Sequence, residues 1–162
     1  MTTEEDYELA TTIAGETYLG EELVSTLSYS GDVTMYLWPM RCLTAKIGGP
    51  TFGIDVKGVE ILRYDCHGAR GHWHEGGYDK LGAGGSHVDF PEGLTGGPEQ
   101  ITWALEQIQE KGKQLLEEAG YPDEARSLDP DRVSSATQGI KAHLEKEGDL
   151  LSHAIERGLI EA

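Results

Sequence analysis

Residues 97–119 read GPEQITWALEQIQEKGKQLLEEA, and this stretch changes the pattern of the chain from strand to helix. Apolar side chains recur in it at intervals of three and four residues, at Ile101, Ala104, Leu105, Ile108, Leu115, Leu116 and Ala119. This spacing predicts an amphipathic helix with one buried face. Gly120-Tyr121-Pro122 predicts its end, because glycine favours helix termination and proline cannot continue a helix.

The chain after this helix continues with helical patterns. Asp129 followed by Pro130 is typical of an N-cap residue with proline in the first turn. A second apolar stripe follows at Val133, Ala136, Ile140 and Leu144. Gly148 is expected to kink this helix or to divide it from a last one, which carries Leu150, Leu151, Ala154, Ile155 and Leu159. These patterns predict two or three C-terminal helices.

The chain before this helix has short strand patterns, in which apolar and polar side chains alternate. They cover residues 23–29, 33–38, 52–56 and 59–65, and residues 41–47 could form a further extended segment. Ser30-Gly31-Asp32 is typical of a turn, Pro39 marks a strand edge, bulge or end, and Gly48-Gly49-Pro50 is expected to break a strand. We predict an antiparallel meander of about five or six strands.

Strands that come first and helices that come last predict one α+β domain over residues 1–162. In this arrangement an antiparallel β-sheet meander is followed by two or three C-terminal helices packed on one face. The strand-rich part is expected over residues 15–92 and the helical part over residues 98–160. Within the glycine-rich end of the first part, only residues 72–75 and 87–90 are expected to be extended.

The chain is strongly acidic, with 29 acidic and 13 basic residues and a net charge of −16. Direct nucleic-acid binding is therefore disfavoured, because the phosphate backbone would be repelled. A basic protein partner or a small-molecule substrate is easier to accommodate, and oligomerisation is compatible with the sequence. Two cysteines are too few for a disulfide framework, and no signal peptide or long apolar run stands out. These features predict a cytoplasmic protein without a membrane span.

Four of the six histidines lie between His67 and His87. His72 and His74 are two residues apart, so an extended strand would place both side chains on one face. We expect a hairpin to bring His87 to this face as a third ligand, with Asp89 two residues later. Three such ligands would suit a divalent transition metal such as zinc.

Two carboxylates, Asp65 and Glu75, flank the paired histidines in the sequence. Either could orient an imidazole through its second nitrogen or act as a general base on metal-bound water. Cys66 and His67 are reserve ligands. Because they are adjacent, their side chains would diverge on a strand, and only one of them is expected to face the site.

Two other interpretations of the histidines stay open. They could form an acid–base site without a metal, or they could be structural and hydrogen-bond across turns. Trp73 would lie on the face opposite to its histidine neighbours and is expected in the core. His143 and His153 belong to the helical tail and are expected to face solvent.

Three motifs follow one another between Glu60 and Glu118: Leu62-Arg63-Tyr64-Asp65-Cys66, then His72-Trp73-His74, then the helix with Trp103. This order resembles a group of small uncharacterised bacterial domains. More distantly, it is similar to the TumE-like small proteins of toxin–antitoxin systems, in which an Arg-Tyr-Asp strand precedes a histidine-rich hairpin and a helix. The second resemblance implies catalytic positions at Arg63, Asp65, His72, His74 and His87.

Two classes of function are compatible with these features. The first is a metal-binding or hydrolytic, nuclease-like enzyme that uses its histidines as ligands and Asp65, Glu75 and Arg63 as catalytic residues. The alternative is a non-catalytic acidic interaction module, such as an antitoxin, an inhibitor or a nucleic-acid mimic, that docks a basic partner. Metal content would separate the two classes.

Overall fold

The computed structural model describes residues 11–13 and 16–161, which form eight strands and five helices. The strands are β1 Thr11–Ile13, β2 Glu16–Leu19, β3 Leu23–Thr26, β4 Val33–Thr44, β5 Ile47–Val56, β6 Val59–Asp65, β7 His72–Glu75 and β8 His87–Val88. The helices are α1 Tyr78–Ser86, α2 Gly97–Glu118, α3 Pro122–Arg126, α4 Pro130–Glu147 and α5 Leu150–Glu156. A 3-10 turn at Gly68–Arg70 precedes β7.

The strands form one antiparallel sheet in the order β1-β2-β4-β5-β6-β7-β8, and β3 also pairs with β4. Strand β4 is long enough to hold both partners on one edge, because β2 pairs with residues 40–42 and β3 with residues 34–37. The α+β class and the antiparallel meander are confirmed. The sheet has more strands than the expected five or six, in part because β1 has only three residues and carries little pattern, whereas β8 lies within the predicted extended segment 87–90.

The long hairpin β4–β5 contains a proline and a Gly-Gly-Pro run. Pro39 lies at a bulge, where the register between the two strands shifts. A bulge was one of its three predicted roles, and it suits a residue without an N–H donor. The predicted break at Gly48-Gly49-Pro50 is wrong, because β5 runs through these residues. A Cβ on Gly49 would lie 2.7 Å from the Cys66 carbonyl oxygen, so glycine permits a close approach of the residue that follows β6.

Helices α2 and α4 cover one face of the sheet and build the main core. The predicted stripe of α2 is confirmed, since Ala104, Leu105, Ile108 and Leu116 are at most 2% exposed. These side chains belong to one apolar cluster with Leu37, Ile54 and Leu62 of the sheet and with Val133, Ala136 and Ile140 of α4. Helix α5 covers a smaller cluster that contains Leu19, Met40 and Cys42.

The helices begin and end at the capping and terminating residues that the sequence predicted. Helix α2 ends just before Gly120, which adopts a positive φ of 96°. Asp129 caps α4 by accepting a hydrogen bond from the Asp131 backbone nitrogen at 3.1 Å. Gly148 has a φ of 75° and separates α4 from α5. Four helices follow residue 96 instead of two or three, because the five-residue α3 was not anticipated.

Helix α1 lies inside the segment that was expected to be strand-rich. It contains Gly82, Gly84 and Gly85, and Gly82 interrupts it with a φ of 78°. Glycine has a low helix propensity, so the sequence pattern could not indicate this helix. Within the described part of the chain, every helix is too short or too polar to cross a lipid bilayer.

The two histidines of the helical tail behave differently. His143 is half-buried, and its Nε2 donates to the Glu21 carbonyl oxygen at 2.6 Å. The expectation that His143 faces solvent was therefore wrong, because the loop between β2 and β3 packs against α4. His153 is exposed, as predicted.

Candidate metal centre

Polar side chains of β6, β7 and β8 meet on the face of the sheet opposite to α2. Antiparallel pairing places Asp65 opposite His72 and Arg63 opposite His74. Strand β8 places His87 opposite His74. Because directly paired residues of neighbouring strands share a face, the structure brings these five sequence-predicted residues together on one surface.

The alternate residues of β7 lie on the other face, beneath α2. Trp73 is 9% exposed, and its ring stacks on Tyr64 at 5.1 Å and meets Trp103 of α2 at 5.8 Å. Its predicted place in the core is confirmed. Burial and the nearby Glu118 of α2 raise the pKa of Glu75. The sheet therefore separates Glu75 from the histidines, and a base acting beside them must come from another residue.

Three atoms able to bind a metal converge between β6 and β7. The Nε2 atom of His72 lies 3.1 Å from Nε2 of His74 and 3.3 Å from Oδ2 of Asp65. The third distance, from His74 Nε2 to Asp65 Oδ2, is 3.9 Å. This group could hold a metal ion. Asp65, predicted as an orienting or base residue, occupies the position of a third ligand.

The second nitrogen of each imidazole is used as a hydrogen-bond donor. His72 Nδ1 lies 3.3 Å from the Arg70 carbonyl oxygen, which can only accept. His74 Nδ1 lies 2.8 Å from Ser86 Oγ, and that hydroxyl donates its own proton to the Gly82 carbonyl oxygen at 2.6 Å. In the neutral rings, both Nε2 atoms therefore carry a lone pair. Burial and the charge of Arg63 lower the pKa of His74 to about 4, which favours the neutral ring.

Asp65 is 1% exposed and is held by several donors. Arg63 Nε donates to Oδ2 at 3.2 Å, while Arg41 Nη1 and Thr51 Oγ1 donate to Oδ1 at 3.1 Å and 2.8 Å. Burial alone would raise the pKa of Asp65, but Arg63, His67, Arg41 and the Thr51 hydrogen bond together lower it. Asp65 is therefore an ionised carboxylate in a buried position.

His67 is a further buried member of the cluster with Asp65. Its Nε2 lies 3.0 Å from Thr51 Oγ1 and 4.0 Å from Asp65 Oδ1. Because the Thr51 hydroxyl donates to Asp65, the Nε2 atom of His67 donates to Thr51. Burial, partly offset by Asp65, lowers the pKa of His67 to about 4. The adjacent Cys66 lies in the apolar core, so only one of these two reserve residues faces the cluster, as expected.

His87 lies at the edge of the cluster. Its ring stacks on the His72 ring at 4.8 Å, and its side chain is 43% exposed. Its Nε2 donates to Asp89 Oδ1 at 2.8 Å, so this nitrogen is already used. The three converging ligand atoms do not include His87. Helix α1, rather than a tight hairpin turn, connects β7 to β8.

Sequence reasoning missed three side chains that hold the centre in place. Ser86 orients His74, while Arg41 and Thr51 bind Asp65. We call the face of the sheet opposite to α2 the open face. A strict alternation from Trp38 would put Arg41 on the core face, but the bulge at Pro39 returns its side chain to the open face. Because of the bulge, the alternation in the sequence did not indicate that Arg41 faces the centre. Thr51 was not anticipated because a strand break was expected just before it.

The open face continues beside the centre as a groove of about 390 Å³. Arg63 and Thr51 belong to both the groove and the centre. Aromatic and acidic side chains line the rest of it, among them Tyr18, Tyr36, Trp38, Glu22, Asp55 and Glu60. The centre therefore opens onto a concave surface large enough for a small molecule.

A family model described as a domain of unknown function (DUF7700) matches residues 52–144. This match covers more than half of the chain and contains β6, β7, β8 and the histidine cluster. No curated protein and no solved structure matches the chain. The resemblance to an uncharacterised domain family is thereby confirmed, while the likeness to TumE-like proteins stays a prediction.

Proposed function

The chain belongs to the DUF7700 family of domains of unknown function, and we propose that it binds one divalent transition-metal ion and uses it for hydrolysis. The ligands would be Nε2 of His72, Nε2 of His74 and Oδ2 of Asp65. Zinc is the metal that this donor set suits best, because two imidazoles and a carboxylate with an open fourth position are typical of catalytic zinc.

The observation that carries this proposal is the convergence of three lone-pair atoms. Two imidazole nitrogens and a carboxylate oxygen lie 3.1, 3.3 and 3.9 Å apart. Tetrahedral zinc with bonds of about 2.0–2.1 Å requires ligand atoms roughly 3.3–3.4 Å apart. Like partial charges repel at such distances, and a cation between the atoms would turn this repulsion into attraction.

The partners around the ligands support the same conclusion. The Nδ1 atoms of His72 and His74 donate to Arg70 and Ser86, as the second nitrogen of a metal-bound histidine does. Asp65 is already ionised before a metal binds, because its surroundings lower its pKa. The ligands would therefore bind a metal near neutral pH without first losing protons.

Hydrolysis would use a water molecule in the fourth position. A bound zinc ion lowers the pKa of such a water to near neutrality. We assign the role of proton acceptor to His87, whose ring stacks on His72. Its Nε2 is engaged by Asp89, which leaves the lone pair of the neutral ring on Nδ1. In this proposal His87 acts beside the metal, and Asp65 replaces it as the third ligand.

Metal stoichiometry of the untagged protein tests this proposal. After loading with zinc and dialysis, we expect about one zinc per chain by elemental analysis. His72→Ala, His74→Ala and Asp65→Asn should each lose most of the zinc, and any two of these changes together should be strongly non-additive. His153→Ala removes an exposed histidine and should retain the metal. Zinc that is absent from the wild type, or retained by all three variants, would refute the proposal.

A chelator titration gives an independent readout of the same site. A ligand at one hundred times its Kd stabilises the folded state by about 2.7 kcal/mol, so zinc should raise the Tm and a chelator should reverse the rise. His87→Ala should keep this response but lose hydrolytic activity. The acidic interaction module that docks a basic partner stays a prediction, and salt-sensitive binding to such a partner would favour it.

A further inference from the structure

We infer that the substrate of this centre is a small molecule with a single oxyanion group, a carboxylate or a phosphoryl group, which binds Arg63 beside the metal. This inference names the substrate class of the proposed hydrolytic site and rests on that proposal. It comes from a difference between the two arginines on the open face.

All three side-chain nitrogens of Arg41 bind protein carboxylates. Its Nε and Nη2 atoms bind both carboxylate oxygens of Glu16 at 2.8 Å, and its Nη1 binds Asp65 at 3.1 Å. A two-point contact of this kind is the strongest arrangement that an arginine makes with a carboxylate. Arg41 therefore has a structural role and offers little to a ligand.

Arg63 is only partly used. Its Nε donates to Asp65 at 3.2 Å, and Nη1 lies 3.5 Å from Glu60 Oε2 in an ion pair. Its Nη2 has no hydrogen-bond partner among residues 16–78 and 80–161, whose side chains the structure describes. Tyr78 packs against the guanidinium face at 4.8 Å, which holds the group in place without using its N–H bonds. The Arg63 side chain is 16% exposed, so few of these donors can be satisfied by bulk water.

The position of Arg63 connects the groove to the metal ligands. It lines the groove, pairs in register with His74 and binds the oxygen of Asp65 that faces the histidines. An oxyanion in the groove could therefore contact the guanidinium and the metal together. Planar N–H forks match the oxygens of carboxylates and phosphoryl groups, which is why arginine is common in such sites.

The charges in the groove limit the substrate to one such group. Glu22 and Asp55 also line it and form no ion pair with any described residue. Burial is the largest cause of the pKa of Asp55 being raised to about 6, and the nearby carboxylates of Glu60 and Glu22 raise it further. A second anionic group would be repelled, and the net charge of −16 disfavours a polyanion such as RNA. The half-buried Trp38 offers a surface for an uncharged ring.

Calorimetric titration of the zinc-loaded protein with benzoate and phenylphosphonate tests this inference. Each probe carries one oxyanion group and an aromatic ring that fits the groove. Terephthalate is benzoate with a second carboxylate and should bind at least about tenfold more weakly, because its second charge would approach Asp55. Equal or tighter binding of terephthalate would overturn the inference that the substrate carries only one oxyanion group.

Variants of Arg63 identify the binding residue. Arg63→Gln should weaken the binding of both probes by at least about tenfold, and Arg63→Lys should weaken it less, because lysine keeps the charge and loses the fork. The matched control is Arg132→Gln, which removes the same charge from an exposed side chain of α4 that does not line the groove, and it should change affinity by less than about twofold. Unchanged probe affinity in Arg63→Gln would overturn the inference.

Zinc content, measured on the same samples, separates this inference from the proposed function. Wild-type protein that holds zinc but binds neither probe would refute the substrate class and leave the metal centre standing. Protein that holds no zinc would refute the proposed function and, with it, the inferred substrate. Arg63→Gln that keeps its zinc but loses the probes supports both, since the loss then cannot come from a damaged metal site.

Discussion

The two faces of strands β6 and β7 differ completely in chemistry although they are built from alternate residues of the same strands. On the covered face, Tyr64 stacks on Trp73 beneath α2. On the open face, residues adjacent to these two in each strand form the candidate metal centre, where Asp65 lies opposite His72. One alternation of period two therefore supplies both the core and the candidate site.

The faces also differ in what they contribute to stability. Burial of apolar side chains on the covered face stabilises the fold. On the open face, burial lowers the pKa values of His67 and His74 to about 4 and raises that of Asp55 to about 6. Each shift means that the folded protein holds an ionisable group where its charged form is disfavoured. We therefore expect changes on the covered face to affect stability most and changes on the open face to affect binding most.

Leu105→Ala should have the largest effect on stability. Leu105 is 2% exposed and belongs to the main core, so its truncation should lower the free energy of unfolding by about 2–5 kcal/mol. Denaturant unfolding measures this change. The folded variant should still bind zinc, because the residue lies on the opposite side of the sheet from the centre.

Glu106→Ala is the matched control, since it changes the neighbouring exposed residue of the same helix. It should alter the free energy of unfolding by no more than about 0.5 kcal/mol. Equal effects of the two changes would mean that the covered face does not carry the stability. Loss of zinc in folded Leu105→Ala protein would mean that the two faces are coupled.

Acidification in the presence of a chelator should lower the free energy of unfolding, because His67 of the open face is buried. The pKa of this residue is about 4 in the folded protein, against an ordinary value of 6.5. The unfolded state therefore takes up a proton first as the pH falls from 6.5 towards 4, and the folded state loses about 3 kcal/mol over this range. Asp65, whose pKa is lowered, adds a further loss below its ordinary value of 3.8.

His67→Gln removes this titration and should make the dependence of unfolding free energy on pH between 6.5 and 4 less steep, with the remaining slope coming from His74, whose pKa is also lowered to about 4. His153→Gln changes an exposed histidine and should leave the slope as in the wild type. Unfolding curves collected at several pH values measure both slopes. Parallel slopes for wild type and His67→Gln would show that burial of His67 does not disfavour its charged form.

Asp55→Asn should give the smallest effect and should stabilise the protein. Because the folded pKa of Asp55 is raised to about 6, its contribution to stability is present below pH 3.8 and lost as the pH rises through 6. The asparagine variant should gain at most about 1 kcal/mol at pH 7, since the side chain is only half-buried. The gain should vanish near pH 4. The control is Glu110→Gln, which changes an exposed residue of α2 and should show no such pH-dependent gain in stability. A gain in Asp55→Asn that persists at pH 4 would contradict the electrostatic cause.

Local patterns predicted much of the covered face and part of the open one. Strand β7 begins and ends at the expected residues, and the stripe of α2 is buried as its spacing indicated. The shared face of His72 and His74 also followed from their spacing alone. Such features depend on neighbours a few residues apart, which the sequence displays directly.

The partners of Asp65 depend on residues far apart in the chain. Thr51 is 14 positions away and Arg41 is 24 positions away. Their contact requires the register of three strands and the bulge at Pro39, and a shift by one residue would turn either side chain to the other face. No local pattern contains that register.

The sequence by itself determined the α+β order, the buried stripe of α2 and the pairing of two histidines on one face of a strand. Only the tertiary structure decided that Asp65, rather than His87, completes the group of three ligand atoms. It also decided that every side-chain nitrogen of Arg41 binds a carboxylate, while Nη2 of Arg63 has no partner among the side chains that the structure describes. The reason is physical, because side-chain periodicity is a local property of the backbone, whereas the distance between two side chains depends on strand register and on every bulge between them.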